Sequence, residues 1–338
     1  MKTIVLTGGG TAGHVMPNLA LLPELKKHFD SVHYFGGEGI EQSLVKHAGL
    51  PYHKTTVVKF DRNRVFSNLK IPFMLKKGID EGKILLKFLA PDVIFAKGGY
   101  VSLPVCLAAK KLGIPVVCHE SDYTLGLANK IIASFAEKVL TSFPETKGGT
   151  FVGNPVREEF LQDKNNYVDS FTGMSDNRKT ILICGGSTGS TAINSVVYEV
   201  LPELTKRYNV IHICGKNGNF NIKCNNYYQC AYTDAFPYAL KQSDLIICRA
   251  GANTLCEAAA TGTRCIAVPL PKGASRGDQI LNAKSFEKRG YCKVILQENL
   301  TGENLLSEIE NIWNKKPSVM NVLQINENIV KQILSVVR

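Results

Sequence analysis

An α/β protein of two nucleotide-binding-like domains, each with a parallel sheet, is what this 338-residue chain predicts, and three observations carry it. Two glycine-rich turns, TIVLTGGGTAGH at 3–14 and TILICGGSTGS at 180–190, lie about half a chain apart. Each follows a short apolar run and opens a helix-spaced segment, so each offers close backbone approach and the unpaired N–H groups of a helix start to a phosphate or similar group. Short apolar runs alternate with longer helix-spaced stretches through both halves, the pattern of a doubly wound parallel sheet. Gly153-Asn154-Pro155-Val156-Arg157 and the polar stretch 162–179 then divide the two series.

In chain order, buried strands are expected at 4–7, 32–35, 93–97, 116–120 and 139–143, then at 181–184, 210–214, 245–248, 265–269 and 293–296. Their near-continuous apolar character suits strands covered on both faces. Pro317 separates two C-terminal helical segments, and the last carries Val319, Val322, Leu323, Ile329, Val330, Ile333 and Leu334, which need an apolar surface to lie on.

With 44% hydrophobic and 20% charged residues, the chain is long enough for two separate cores. The opening apolar residues meet Gly8, Gly9 and Gly10 too soon for a signal peptide, and no uncharged apolar run approaches the ~18 residues of a membrane span, so a cytoplasmic location is expected. Of the ten cysteines none forms a CxxC pair, and Cys118, Cys184, Cys214 and Cys248 sit inside apolar runs, so they read as reduced core residues. The net charge of +11 is locally concentrated. Residues 54–87 hold nine Lys/Arg against three acids, interleaved with Ile71, Phe73, Met74, Leu75, Ile84, Leu85 and Leu86. That stretch is either a solvated helix packing its apolar stripe inward or a face for anionic lipid. Nucleic acid is the poorer fit, because aromatic residues are sparse there and no binding module is recognisable.

Gly8, Gly10 and Gly13 fit GxGxxG, a weak signal alone, and Glu38 is poorly placed as the acid a dinucleotide fold needs after its second strand. The second turn, Gly185 to Ser190, lacks the GKS or GKT ending of a nucleotide-hydrolysing loop but still suits a diphosphate. Arg249-Ala250-Gly251-Ala252 opens a helix on which Thr254 and Glu257 share a face, suited to ribose hydroxyls or simply a helix surface. Ser275-Arg276-Gly277-Asp278-Gln279, with Asn282, is either a sugar-binding polar cluster or a plain helix start. His119-Glu120-Ser121-Asp122 ends a strand, where open α/β sheets place their ligands. His14 either caps the first helix or acts as a base near neutral pH.

Seven blocks in order then converge: GGGTAGHVMPNLAL at 8–21, KGGYVSLP at 97–104, HESD at 119–122, GNPVR at 153–157, GGSTGS at 185–190, RAGANTLCE at 249–257 and GDQILNA at 277–283. Over essentially its whole length the chain resembles the MurG family, the UDP-N-acetylglucosamine:N-acetylmuramyl-(pentapeptide) pyrophosphoryl-undecaprenol transferases of peptidoglycan synthesis. The resemblance implies a GT-B architecture of two Rossmann-like domains facing across a cleft: 1–157 on the acceptor and membrane side, 158–317 binding UDP-GlcNAc, and 318–338 crossing back as a helix. It assigns Ser187, Thr188 and Gly189 to the donor diphosphate, Glu257 to the ribose, and Asp278 and Gln279 to GlcNAc. Tyr232 and Thr233 fall near the uracil, and Arg249, Ala252 and Thr254 complete the donor set of this domain. Thr11, Ala12, Gly13 and Arg157 become donor contacts from the first domain, and Gly10, Gly99 and Tyr100 the site of the acceptor diphosphate. His14 becomes the candidate base, with Asp122 beside it in the catalytic set; Phe73, Leu75, Lys76 and Lys77 become the membrane patch.

UDP-GlcNAc, undecaprenyl-linked lipid I and the cytoplasmic membrane surface are the implied partners, with cell-wall synthesis proteins beside them. No cofactor or obligatory metal is expected, since the chain has no Asp-x-Asp motif and the helix after Gly189 can stabilise a leaving diphosphate. Asp122 departs from the HEQN or HEPN form of the family: an ionised aspartate only accepts hydrogen bonds, so it should face away from phosphate. A diacylglycerol glycosyltransferase, an NAD-linked oxidoreductase and a non-catalytic UDP-sugar-binding protein are the competing readings.

Overall fold

The computed structural model describes residues 1–59, 70–161, 174, 177–186, 188–216, 218–273 and 277–337. Most of the polar stretch 162–179 therefore lies outside the described residues, as do Arg62, Arg64, Ser187, Ser275 and Arg276. The chain divides into two compact units, Met1–Arg157 with Val322–Arg338, and Glu158–Asn321.

The first unit runs β1 (Thr3–Thr7), α1 (Ala12–Ala20), α2 (Leu22–Leu25), β2 (Ser31–Gly36), α3 (Ile40–His47), β3 (Tyr52–Lys54), α4 (Ile71–Leu89), β4 (Val93–Ala96), α5 (Ser102–Leu112), β5 (Val116–Glu120), α6 (Leu127–Ala133), β6 (Lys138–Thr141) and β7 (Thr150–Phe151). Its sheet has the order β3-β2-β1-β4-β5-β6-β7, with every neighbouring pair parallel. Because successive side chains on a strand face opposite ways, Ile4 and Leu6 join one core with Val15, Tyr34 and Phe95, while Val5 joins another with Phe35, Ile94 and Cys118. Both faces are buried, which is why these strands read as continuous apolar runs. Helix α4 reaches its place against α5 through small residues: a Cβ on Gly78 would lie 3.1 Å from Pro104 Cβ, and one on Gly82 would lie 3.2 Å from Ala108 Cβ.

The second unit repeats the plan with β8 (Thr180–Cys184), α7 (Thr191–Arg207), β9 (Asn209–Ile213), β10 (Tyr227–Cys230), α8 (Phe236–Gln242), β11 (Leu245–Cys248), α9 (Ala252–Thr261), β12 (Arg264–Ala267), α10 (Asp278–Lys288), β13 (Lys293–Val294) and α11 (Gly302–Trp313). Its parallel sheet has the order β10-β9-β8-β11-β12-β13. The last helix, α12 (Val322–Leu334), belongs to the first unit and buries Ile329, Val330 and Ile333 in the core around Leu6 and Tyr34. Asn326 anchors it by accepting from Val156 N–H at 3.3 Å and donating to Val156 O at 2.9 Å. Val319 lies before this helix and Leu323 on its outer side; they are 66% and 57% exposed, so neither joins the apolar stripe expected of them.

Three strands were not expected. Tyr52-His53-Lys54, Thr150-Phe151 and Tyr227-Tyr228-Gln229-Cys230 are edge strands with no fully buried residue, and so lack an apolar run. All ten cysteines are free thiols.

Candidate functional site

An open parallel sheet leaves a crevice where its strand order reverses, outside the carboxyl ends of the strands. In the first unit that point lies between β1 and β4. The turn after β1 carries Gly8 to Thr11 and leads to His14 on α1, while the turn after β4 carries Gly98, Gly99 and Tyr100. Thr11, the extended residue before α1, holds His14 twice: its carbonyl accepts the His14 N–H at 3.1 Å, and its Oγ1 lies 3.0 Å from His14 Nδ1. Gly99 has φ +76°, and a Cβ there would lie 2.6 Å from the Gly9 carbonyl oxygen and 3.4 Å from His14 Nδ1. Only glycine lets these two turns meet beside His14. Tyr100 covers Gly10 closely enough that a Cβ on Gly10 would lie 2.6 Å from its Cε1.

This first glycine turn is already occupied from within. Glu41, on α3 and 1% exposed, accepts the Gly10 N–H at 3.1 Å through Oε2 and the Gly37 N–H at 3.2 Å through Oε1. Tyr34 donates to the Gly8 carbonyl at 2.7 Å. Burial pushes the Tyr34, Tyr52 and Tyr100 phenols above their ordinary range, and the nearby Glu41 charge adds to it. The Gly10 N–H assigned to the acceptor diphosphate is thus already in use.

A second buried carboxylate shapes the turn after β5. Glu120, 5% exposed, accepts from Asp122 N at 3.0 Å, Gly126 N at 2.9 Å and Asn129 Nδ2 at 2.9 Å, and so fixes the backbone that carries the half-buried Asp122. His119 lies inside the core. Its Nε2 is 2.8 Å from Gly153 O and its Nδ1 is 2.5 Å from Lys97 Nζ, so Nε2–H donates to the carbonyl and Nδ1 accepts from the lysine. Burial, with the Lys97 charge beside it, holds this imidazole well below its usual range and therefore neutral. Asn154 Oδ1 closes the network, accepting from Lys97, Ser121 and Ser142.

The second unit reverses its strand order between β8 and β11, and there the structure has an open cavity of about 570 Å³. Gly185, Gly186 and residues 188–192 form one wall; Cys248, Arg249, Gly251 and Thr254 form another; Leu270, Gln279 and Gln297 close it. Ser190 caps α7, its hydroxyl accepting from Ile193 N at 3.3 Å. Gly189 has φ +79°, and a Cβ there would lie 2.3 Å from the Cys214 carbonyl oxygen. Gly186 also has a left-handed φ, +86°, yet its Cβ would meet nothing within 4 Å. Among the described residues no carboxylate lines this cavity.

Arg249, 9% exposed, braces the wall: Nη1 donates to Val268 O at 3.2 Å and Pro269 O at 3.3 Å, and Nη2 donates to Gln297 Oε1 at 2.7 Å. Burial lowers its guanidinium pKa. Gln279 Oε1 accepts from Leu270 N at 3.0 Å, so what it presents to a ligand is its amide N–H₂. Of the residues the resemblance assigns to the donor, Thr188, Gly189, Arg249, Thr254 and Gln279 line the cavity; Gln297 lines it too, with no motif to announce it. Glu257 lies one turn beyond Thr254 on α9 and outside the lining. Ala252 and Asp278 are buried first residues of α9 and α10, and Tyr232 and Thr233 follow β10, the tyrosine 65% exposed; none of the four lines the cavity. Thr11, Ala12, Gly13 and Arg157 belong to the first unit.

On α4, Phe73, Ile84 and Phe88 are 78%, 70% and 84% exposed, and Lys76 and Lys77 stand out with them. Leu75, expected on that outward face, is instead half-buried against the core with Ile79 and Leu86, because its helical phase puts it on the packed side. No helix among the described residues is long and apolar enough to cross a membrane.

Comparison with known proteins bears on both units. Residues 4–141 match the glycosyltransferase family 28 N-terminal domain and residues 180–335 the family 28 C-terminal domain. The chain is 44% identical over 335 residues, 96% of its length and 94% of the relative's, to the UDP-N-acetylglucosamine–N-acetylmuramyl-(pentapeptide) pyrophosphoryl-undecaprenol N-acetylglucosamine transferase of Lachnoclostridium phytofermentans. It is 41% identical over 333 residues, 95% and 93% of the two chains, to the protein of the same name from Clostridium tetani. Among solved structures it is similar to Acinetobacter baumannii MurG, with a TM-score of 0.74 and 27% identity over 99% of this chain and 100% of that one.

Proposed function

The chain belongs to glycosyltransferase family 28, and from that premise we propose how its two glycine turns divide the work. It is a hexosyltransferase of peptidoglycan synthesis, moving N-acetylglucosamine from UDP-N-acetylglucosamine to the MurNAc of undecaprenyl-pyrophosphoryl-MurNAc-pentapeptide, with UDP as the other product. The observation that carries the division is the open cavity at the second turn: its backbone N–H groups and the positive end of α7 face a space with no carboxylate among its described lining, where a diphosphate is welcome. UDP takes that place. Ser187, Thr188 and Gly189 hold its diphosphate, Glu257 the ribose, Asp278 and Gln279 the GlcNAc hydroxyls, and Tyr232 or Thr233 the uracil. Arg249 gives the wall a fixed positive charge, and Ala252 opens the helix that brings Thr254 to it.

The transfer inverts the anomeric carbon, so a base must take the proton of the acceptor 4-hydroxyl as it attacks from the face opposite UDP. His14 is that base. In the tautomer that donates Nδ1–H to Thr11 Oγ1, the imidazole carries its basic lone pair on Nε2. Departing negative charge on UDP is stabilised by preorganised N–H groups, which need no rearrangement during the reaction. Gly99 adjoins His14 and with Tyr100 attends the acceptor's diphosphate, while the exposed apolar and basic face of α4 rests on the cytoplasmic surface of the membrane, where the lipid-borne acceptor is embedded. Purified protein given UDP-GlcNAc and a short-chain lipid I analogue should release UDP and form a β-1,4-linked disaccharide. UDP release without that product, or no turnover, would defeat the assignment.

A further inference from the structure

The first glycine turn has the parts of a phosphate cradle and holds a side chain of the protein instead. Two neighbouring turns build it, Gly8-Gly9-Gly10 after β1 and Gly36-Gly37-Glu38-Gly39 after β2. Four of these glycines crowd Glu41: a Cβ on Gly9 would lie 2.7 Å from its Cδ, on Gly39 2.5 Å from Oε2, on Gly36 3.0 Å from Cγ and on Gly37 3.3 Å from Oε1. Gly10 and Gly37 give the carboxylate their N–H groups. Successive glycines with convergent N–H groups are how a backbone binds phosphate. The protein supplies its own anion to that arrangement and buries it to 1% exposure.

We propose that Glu41 is a positioning and specificity-determining residue: its carboxylate is the built-in anion of the first glycine turn, setting the backbone that carries His14 and closing the turn to the donor's diphosphate. The donor's diphosphate is thereby left to the second unit, whose cavity has no carboxylate among its described lining. Glu41 acts on the reaction only through Gly10 and the turn that ends at Thr11 and His14. The kinetic part rests on the transferase reading above, and the binding part does not.

Two variants separate charge from volume. Glu41→Ala empties the cradle, and Glu41→Gln fills it without charge and turns an amide N–H₂ toward groups that only donate. With the second turn saturated by UDP, calorimetry should find one more equivalent of inorganic pyrophosphate bound to Glu41→Ala than to the wild-type protein. The kcat of both variants should fall about 10-fold or more, because small misplacement of a catalytic group is costly. Donor KM should stay within about twofold, as expected when only the transition-state geometry is lost. Formate, a small carboxylate, should restore part of the Glu41→Ala rate and none of the Glu41→Gln rate. A protein that is merely destabilised would not respond to formate in that selective way. Glu41→Ala that neither takes up pyrophosphate nor responds to formate would overturn the proposal, as would Glu41→Gln with wild-type kcat. If Glu41→Ala fails to fold, Glu41→Gln decides alone: a kcat loss at unchanged melting temperature and donor KM supports the role, and wild-type kcat refutes it. Loss of transfer in the wild type with the pyrophosphate difference intact would refute the transferase reading and leave the internal anion standing.

Discussion

The two glycine turns occupy the same place in the same kind of fold and have come to opposite ends. Each follows the first strand of a parallel sheet, each opens a helix, and each lies where strand order reverses. At the first, a carboxylate from α3, just past the neighbouring turn, takes the Gly10 N–H; at the second, Gly186 faces empty space and the cavity is open. A glycine pattern therefore records how closely backbone must approach something, without saying whether that something is a ligand or the protein itself. The neighbouring turn decides. After β2 it delivers Glu41, whereas after β9 the chain passes through Cys214 and Gly215, whose backbone abuts Gly189.

This division makes its sharpest claim about His14. His14→Ala should lower kcat by ~10² or more while leaving donor KM nearly unchanged, as loss of a general base does. Steady-state kinetics with both substrates varied would check it. A near-normal kcat would remove the base from the first turn, and a large rise in donor KM would show that the two turns do not divide the substrates.

The next effect concerns how each turn is supported from below. His212 on β9 lies between Asn194 and Tyr227, with Nε2 3.0 Å from Asn194 Oδ1, and Asn194 Nδ2 in turn donates to the Cys214 carbonyl that abuts Gly189. Burial holds His212 down to about 4. The folded value is depressed, so the unfolded chain binds the proton first: stability is full above the unfolded value of ~6.5 and falls as pH drops toward the folded value, by about 3 kcal/mol for this group. Denaturant melts between pH 7 and pH 4 should show that slope, and His212→Gln should flatten it. His119 under the first turns is depressed in the same direction, so an unchanged slope in His212→Gln would place the acid sensitivity in the first unit.

Much of this was legible beforehand. Strands buried on both faces are continuous apolar runs, so the centre of each sheet could be located, while Tyr52-His53-Lys54 and Tyr227-Tyr228-Gln229-Cys230, packed on one side only, left no such trace. The cavity walls at Thr188, Gly189, Arg249 and Thr254 were readable because ligand-facing turns come directly after strands. Gln297 was not, since it reaches the cavity from a later turn with no pattern around it. Glu41 was invisible for a related reason: it is an ordinary helix glutamate until the fold brings it to Gly10, 31 residues away. Leu75 was misjudged by helical phase, which composition does not encode.

Glu257→Gln should weaken UDP-GlcNAc binding by about 10- to 100-fold, because a hydrogen bond to a charged group contributes roughly 1.5–3 kcal/mol. Acceptor KM should not follow. Calorimetric titration with UDP-GlcNAc reads the first quantity, and unchanged affinity would take Glu257 out of the open turn's site. The closed turn's unit has a corresponding test at its surface. Replacing Lys76 and Lys77 together with glutamate should cut binding to anionic vesicles by roughly 30-fold or more, since each basic residue near the surface adds on the order of 1 kcal/mol. Turnover of a water-soluble acceptor should persist. Vesicle binding that survives at low salt would make this face of α4 an ordinary solvated one.

The smallest expected effect falls on Asp122, and it tests whether the turn after β5 is held as the first glycine turn is, from behind by a buried carboxylate. Glu120 accepts from the backbone of Asp122 and Gly126 and from the side chain of Asn129, and so holds the path of that turn from behind. Asp122→Asn keeps the side-chain shape and the backbone N–H that Glu120 receives. Its kcat should therefore stay within roughly threefold of wild type, the equivalent of about 0.6 kcal/mol. Glu120→Gln should cost far more, because an amide in its place cannot accept all three hydrogen bonds and leaves a buried donor without a partner. Comparing the kcat of the two variants at matched melting temperature separates a turn held by Glu120 from a carboxylate that works directly at Asp122. If Asp122→Asn falls as far as His14→Ala, the Asp122 carboxylate shares the proton transfer, and the first unit carries its chemistry on two turns instead of one.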